Sequence, residues 1–289
     1  MRSNKRKILM LVVMVMALLT LAGCRLQEPN ESGEMVFKAI SKPFQGGFCD
    51  TIVYPIAWLM SIFTSWTGRF AIGVIFVTII IRTIFFPVYT KTNDTSVKMQ
   101  MIQPDLQKIQ TKYAGKTDPE SKQKMQMEMM QLYKENDINI LAGCLMPLLQ
   151  MPVFMAMYHA VARTPITFGY EDKSSVLNFL GLSLSDRVVN TNLDAGWFSQ
   201  FFSNPALLIL PFLVVATSIL QQYITTMGLD EKAKNNPTMK MMFYLMPIMM
   251  FSISITSVQA LALYWVVGNL ISMIQYIVVK KPFKKVNNK

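Results

Sequence analysis

Residues 77–90, VTIIIRTIFFPVYT, place a single arginine, Arg82, inside an otherwise apolar run. A guanidinium in the hydrocarbon of a bilayer costs about 2.5 to 3.5 kcal/mol on insertion scales. The apolar residues predict a membrane-spanning helix, and Arg82 lies eight residues before Thr90, about 12 Å along such a helix. We therefore expect the charge in the cytoplasmic half of the span, where an interaction must offset the cost of keeping it in the bilayer.

The composition of the whole chain also indicates a membrane protein. The 289 residues are 52% hydrophobic and 16% charged, whereas about 25% of the residues in soluble domains are charged. The formal net charge of +11 would suit either a nucleic acid or an anionic membrane surface. The placement of the charges around the apolar segments decides between these two classes of partner.

The N-terminus has the organisation of a lipoprotein signal peptide. A basic segment, residues 2–7, precedes an apolar segment, residues 8–22, which is short for a spanning helix. It ends in LAGC, residues 21–24, which resembles the bacterial lipobox. We expect residues 1–23 to be removed and Cys24 to carry a lipid at the outer surface. Cys49 and Cys144 would then lie in different compartments, which argues against a disulfide between them.

Five apolar segments approach the length that a bilayer requires. They are residues 70–89, 141–162, 206–224, 239–255 and 260–279. Residues 52–63 are expected to form an amphipathic helix on the outer surface. The alternative, a sixth span at this place, would put both ends of the next span on the wrong sides.

The basic residues are distributed unequally about the five spans. Sixteen lysines lie on one side, and seven lysines and arginines lie on the other. This bias predicts an outer N-terminus and a cytoplasmic C-terminus, in agreement with the lipobox. We therefore divide the chain into a signal peptide (1–23), an outer segment (24–69), a membrane core (70–280) and a basic cytoplasmic tail (281–289).

Residues 91–137 predict a cytoplasmic helical hairpin within that core. Two apolar stripes step by three or four residues, as in a helical seam: Met99, Ile102, Leu106, Ile109 and Tyr113, then Met125, Met129 and Leu132. Between them Gly115 ends one helix, and Asp118 with Pro119 begins the next. The alternative is a solvated charged hairpin that only joins two spans.

The predicted spans contain no aspartate or glutamate, so Arg82 has no acidic partner within them. Two interpretations remain at this point. The side chain extends to the inner headgroups, or it lines a wet cavity and meets a charge that another molecule brings. Other polar residues in the spans are expected to join helices by hydrogen bonds: Gln150, Gln221, Gln222, Asn269 and Gln275. Taken alone, Trp265 is typical of an interfacial aromatic belt.

The order of these segments resembles the YidC family of membrane protein insertases, which includes the mitochondrial Oxa and chloroplast Alb branches. The resemblance rests on IIIRTIFFP (79–87), ILAGCLMPLLQMPVFMAMYHAV (140–161), ILPFLVVATSILQQY (209–223), MKMMFYLMPIMMF (239–251) and LALYWVVGNLISMIQ (261–275). The lipobox and the short outer segment are similar to the Gram-positive bacterial form.

The resemblance implies an all-α integral membrane protein with five transmembrane helices around a hydrophilic groove. The groove would open to the cytoplasm and to lipid, with the helical hairpin in the cytoplasm and the amphipathic helix outside. Arg82, Gln221 and Trp265 would form the substrate-binding groove, with Gln222 as a neighbour whose register is open. Arg82 would attract acidic residues in the translocated tail of a substrate.

The implied function is that of an insertase and foldase for nascent single- and double-spanning membrane proteins, acting alone or beside the Sec translocon. We expect a monomer surrounded by membrane lipids, with no catalytic residue, no cofactor and no DNA partner.

No P-loop occurs, and His159, the one histidine, has no metal-ligand partner at usable spacing. The basic tail is a candidate ribosome contact, and the alternative is that it only anchors the topology by its positive charge. The alternative class, a small-solute transporter, would be expected to show inverted repeats and acidic coupling residues, and the sequence shows neither.

Overall fold

The computed structural model describes residues 27–29, 35–43, 48–116, 118–138, 140–189, 200–202, 204–227 and 237–279. The predicted signal peptide, Cys24 and the basic tail lie outside the described residues. Predictions for those segments therefore stay predictions.

Helices dominate the described part of the chain. We number them α1 (Phe48–Thr67), α2 (Phe70–Ile84), α3 (Phe86–Met101), α4 (Gln103–Lys112), α5 (Pro119–Glu135), α6 (Ile140–Thr167), α7 (Ser174–Leu177), α8 (Ile209–Thr226), α9 (Pro237–Thr256) and α10 (Gln259–Val279). Strand β1 (Gln27–Pro29) pairs antiparallel with β2 (Met35–Phe37), and β3 (Asn178–Phe179) pairs antiparallel with β4 (Leu182–Ser183). A 3₁₀ turn, Pro205–Leu208, leads into α8.

The core lies where α1, α2, α6, α8 and α10 meet. Each of these helices contributes a fully buried apolar side chain: Met60, Val74, Met157, Val214 and Leu261. Apolar burial is the main source of cohesion between helices in water, but in lipid close packing takes over that role. A bundle that packs this tightly can hold a polar group at a fixed position between its helices.

Helix α1 extends beyond the predicted amphipathic segment 52–63 at both ends. Its contact with α2 is so close that a Cβ on Gly73 would lie 2.5 Å from the main-chain oxygen of Met60 and 2.6 Å from Oγ1 of Thr64. Only glycine fits at this crossing, because main-chain atoms cannot move aside. Trp58 and Trp66 remain exposed on α1.

Two helical segments are long and apolar enough to cross a membrane by length and composition alone. They are Pro205–Thr226 and Gln259–Val278, which correspond to the third and fifth predicted spans. Shorter apolar helices, Phe70–Ile84 and Phe243–Thr256, overlap the first and fourth predicted spans. The first predicted span divides between α2 and α3 at Phe85, two residues before Pro87, which lacks the N–H that would bond to the preceding turn.

Helices α4 and α5 pack against each other through the two predicted apolar stripes. Ile102 and Leu106 are buried, and Met129 and Leu132 pack on them. The side chain of Asp118 caps α5 by accepting a hydrogen bond from the Ser121 N–H at 2.8 Å, as the sequence predicts. This bond lowers the pKa of the Asp118 carboxyl. The hairpin therefore has a small apolar core of its own, formed by the two predicted stripes.

Candidate functional site

Arg82 lies in the last turn of α2, and its side chain is held against α10. Nη1 donates a hydrogen bond to Oγ of Ser272 at 2.9 Å, and that hydroxyl donates in turn to the main-chain oxygen of Gly268 at 2.8 Å. The main-chain oxygen of Arg82 accepts from Nε2 of Gln275 at 3.2 Å. In this structure the guanidinium is thus engaged between helices.

Tyr89 closes the site from the side of α3. The Arg82 Cζ lies 5.1 Å from the centroid of its ring, within the range of a cation–π contact. Tyr89 is only 5% exposed, and its hydroxyl donates to Oε1 of Gln150 on α6 at 2.8 Å. Four helices therefore fix the surroundings of one guanidinium.

No acidic side chain that the structure describes pairs with Arg82. The salt bridges within the described residues join other pairs of side chains. A guanidinium has five N–H donors in a fixed fork, and only Nη1 of Arg82 bonds to a described residue. A half-buried cation attracts a carboxylate more strongly than it would in bulk water. The site is therefore suited to an anionic group that arrives from elsewhere.

Gln221 lies on α8, which packs against α10, the helix that binds the Arg82 side chain. Nδ2 of Asn269 on α10 donates to Oγ of Ser218 on α8 at 2.9 Å, which sets the register of these two helices. Gln221 follows Ser218 by three residues, just as Ser272 follows Asn269. The residue predicted for the groove thus shares a level with the hydroxyl that binds Arg82.

Gln222 also turns a polar group inward on α8. Its Oε1 is buried and has no hydrogen-bond partner among the described residues. A buried polar atom in that state generally costs about 1–3 kcal/mol, and a hydrogen bond from another group would remove that cost. The pattern leaves both glutamines as candidates for the groove.

Trp265 lies seven residues before Ser272 on α10, two turns away on the same face. It is buried and stacks on Phe154 of α6, with the ring centroids 5.6 Å apart and the planes 4° apart. The interpretation of Trp265 as an interfacial-belt residue is wrong, because belt residues lie at the lipid boundary. The structure places it as a buried contact between α6 and α10, beyond the guanidinium.

The simpler explanation of the other polar residues agrees with the structure. Gln150, Asn269 and Gln275 all make hydrogen bonds between helices. His159 is fully buried, with Nδ1 3.4 Å from Nη1 of Arg163, which fits a packing role. No group of His, Cys, Asp and Glu suited to a metal occurs in the described part of the chain.

Sequence reasoning missed Gly268, Ser272 and Tyr89. Glycine and serine are ordinary in membrane helices, where they allow close approach and hydrogen bonding. Ser272 is 190 residues from Arg82 in sequence. A signal did exist in the spacing, because Gly268 and Ser272 are four residues apart and so share a face.

The family model described as 60Kd inner membrane protein matches residues 62–287. The chain belongs to the YidC family. The membrane protein insertase YidC of Oceanobacillus iheyensis is 36% identical over 96% of this chain and 98% of the relative. MisCA of Bacillus subtilis, also named a membrane protein insertase, is 34% identical over 98% of this chain and 95% of the relative. YidC 2 of Listeria innocua is 32% identical, with 97% and 85% covered.

A solved structure supports the fold of this YidC-family chain. A crystal structure of an active YidC insertase with its first transmembrane domain resolved matches with a TM-score of 0.52 at 22% identity. The match covers 79% of this chain and 46% of that one. At this identity the likeness speaks for the fold alone.

Proposed function

We propose that this chain is a membrane protein insertase and foldase for single- and double-spanning proteins. The observation that carries the proposal is Arg82, a half-buried cation that Ser272 holds between helices and that has no acidic partner among the described residues. Relatives named membrane protein insertases support the same function.

In the proposed mechanism, Arg82 attracts a carboxylate in the tail of a substrate and brings that tail into the groove. Gln221 and Trp265 complete the groove. The apolar segment of the substrate then leaves along α8 and α10, where exposed side chains such as Phe212 and Ile274 present apolar surface. Release into lipid buries the substrate segment, and the membrane potential assists the movement of charge for some substrates.

The proposed setting is a bacterial cell membrane, with five spans around a groove open to the cytoplasm and to lipid. Helix α1 lies on the outer surface, where the exposed Trp58 and Trp66 suit the interface. The hairpin 91–137 and the tail 281–289 lie in the cytoplasm. The chain works as a monomer, alone or with the Sec translocon, and its tail contacts the ribosome. It performs no enzymatic reaction and uses no cofactor.

A reconstitution experiment tests the function. Liposomes that contain only this purified chain receive a small single-span protein with an acidic tail, and protease protection of the tail is measured. Because the groove lowers the barrier to tail transfer, we expect a several-fold larger protected fraction than in empty liposomes. Equal protection in empty liposomes, or in liposomes holding an unrelated membrane protein, would contradict the proposal.

Mass spectrometry of the mature N-terminus tests the lipid anchor. We expect the first residue to be Cys24 with a diacylglyceryl thioether. An unmodified Cys24 thiol, or a first residue other than Cys24, would contradict the lipid anchor.

A further inference from the structure

Gly268 and Ser272 form a notch on α10 that receives the guanidinium of Arg82. Ser272 accepts from Nη1 at 2.9 Å. A Cβ built on Gly268 would lie 2.9 Å from Nη2, 3.5 Å from Nε and 3.6 Å from Cζ. The main chain at Gly268 thus lies so close to the guanidinium that a residue with a side chain would displace it.

The three distances also give the orientation of the guanidinium. Cζ is the farthest of the three atoms from the Cβ position. A Cβ placed above the flat face of the guanidinium would be closer to the central Cζ than to Nε. The Cβ position of Gly268 therefore lies beside the guanidinium, off the edge that carries Nε and Nη2. Gly268 therefore adjoins the edge that Arg uses for bidentate pairing with carboxylates, while Ser272 engages Nη1.

We propose that Gly268 and Ser272 are positioning residues that hold Arg82 at a fixed depth in the groove. This inference rests on the proposed function and deepens it. Without the notch, the long side chain extends toward the phosphates of the inner headgroups, where a guanidinium is better solvated. With the notch in place, and with the Tyr89 ring on its other side, the charge stays where the substrate carboxylate meets it.

The first test is Ser272→Ala. Loss of a hydrogen bond to a charged group corresponds to about a tenfold loss or more, and we expect that loss in the rate of insertion of an acidic-tailed substrate. Ser272→Thr keeps the hydroxyl and should restore most of the rate. The matched control is Ser252→Ala, because that exposed hydroxyl bonds only to Met249 of its own helix.

The second test is Gly268→Ala, which separates positioning from folding. The added methyl conflicts with the far end of the flexible Arg82 side chain and no closer group, so Arg82 moves while the helix stays. Alanine is a better helix former than glycine, so the melting temperature should be unchanged or higher. We expect insertion of the acidic-tailed substrate to fall about tenfold, as for the lost hydrogen bond.

Two further measurements show that these residues act through Arg82. A substrate whose tail carries asparagine in place of aspartate should be inserted equally well by wild type, Ser272→Ala and Gly268→Ala. In an Arg82→Ala background, Ser272→Ala should cause no further loss, because coupled residues are not additive. A full further loss in that background would overturn the inference.

The same experiment separates failure of the inference from failure of the proposed function. If Arg82→Ala loses acidic-tailed substrates while Gly268→Ala and Ser272→Ala keep wild-type rates, the notch has no positioning role and the groove arginine stands. If Arg82→Ala inserts acidic and neutral tails at the same rates as wild type does, Arg82 does not attract acidic tails. That result would contradict both the proposed role of Arg82 and the inference about the notch.

Discussion

Arg82→Ala is expected to slow insertion of an acidic-tailed substrate about ten- to a hundredfold, because a hydrogen bond to a charged group contributes about 1.5–3 kcal/mol. The variant removes the one charge that the described part of the groove offers to a substrate carboxylate. Initial rates of tail protection in proteoliposomes measure the effect. A tail with asparagine in place of aspartate is the matched substrate, and its rate should stay unchanged.

Arg82→Lys distinguishes charge from shape at the same position. Lysine keeps the positive charge on a flexible stem but lacks the planar fork. We expect it to retain most of the activity, since the ammonium can also donate to Ser272 and the substrate tail can adjust to a point charge. Equal losses for alanine and lysine would show that the geometry of the guanidinium matters more than its charge. Full activity of Arg82→Ala would return Arg82 to the role of a side chain that extends to the headgroups.

The sequence could identify Arg82 because its signal is local. One charge stands in an apolar run, and the spans contain no acid to pair with it. The third and fifth predicted spans could also be located from composition, since helices α8 and α10 are long and apolar. These features depend on neighbours in the chain, which periodicity and hydropathy report.

The partners of Arg82 could not be predicted, because they depend on the register between helices far apart in sequence. Ser272 and Gly268 contact the guanidinium only because α2 and α10 cross at one particular depth. Hydropathy determines which segments enter the bilayer and leaves their rotation and depth open. The same limit explains why Trp265 could be mistaken for an interfacial residue when its ring is in fact stacked on Phe154.

A second interaction that no local pattern reveals lies at the end of α6. Arg163 is only 5% exposed, and its Nη1 donates to Oδ1 of Asp50 on α1 at 2.8 Å. It also donates from Nε to the main-chain oxygen of Lys38 at 2.6 Å and from Nη2 to that of Ala39 at 2.9 Å. One guanidinium thus ties the segment before α1, and α1 itself, to the bundle.

The carboxyl of Asp50 is held in its charged form at this site. Burial acts to raise its pKa, but the hydrogen bond from the Ser41 N–H at 2.9 Å and the bond and charge of Arg163 outweigh burial, so the pKa is lowered. A lowered folded-state pKa contributes stability above the unfolded value and loses it as the pH falls through the folded value. We expect this contribution to begin to fall as the pH drops below about 4, near the unfolded pKa of aspartate, and to be lost below the folded pKa.

Asp50→Ala should therefore destabilise the protein strongly, because it leaves a buried guanidinium without its counter-charge. Breaking a buried pair in this way costs about 3–5 kcal/mol, equivalent to a melting temperature lower by about 10 °C for a chain of this size. Thermal unfolding in detergent measures the shift. The matched control is Glu120→Ala, which breaks the exposed pair with Lys124 and should leave the melting temperature unchanged.

The double variant Asp50→Ala with Arg163→Met then tests whether the pair or the charge left behind is responsible. Methionine fills part of the arginine volume without a charge, so the double variant should be more stable than Asp50→Ala alone. A double variant less stable than Asp50→Ala, but as stable as Arg163→Met alone, would show that Arg163 stabilises the bundle through Lys38 and Ala39 and not through Asp50. In that case the loss of stability below pH 4 should also persist in Asp50→Asn, since Asp50 would not be its source.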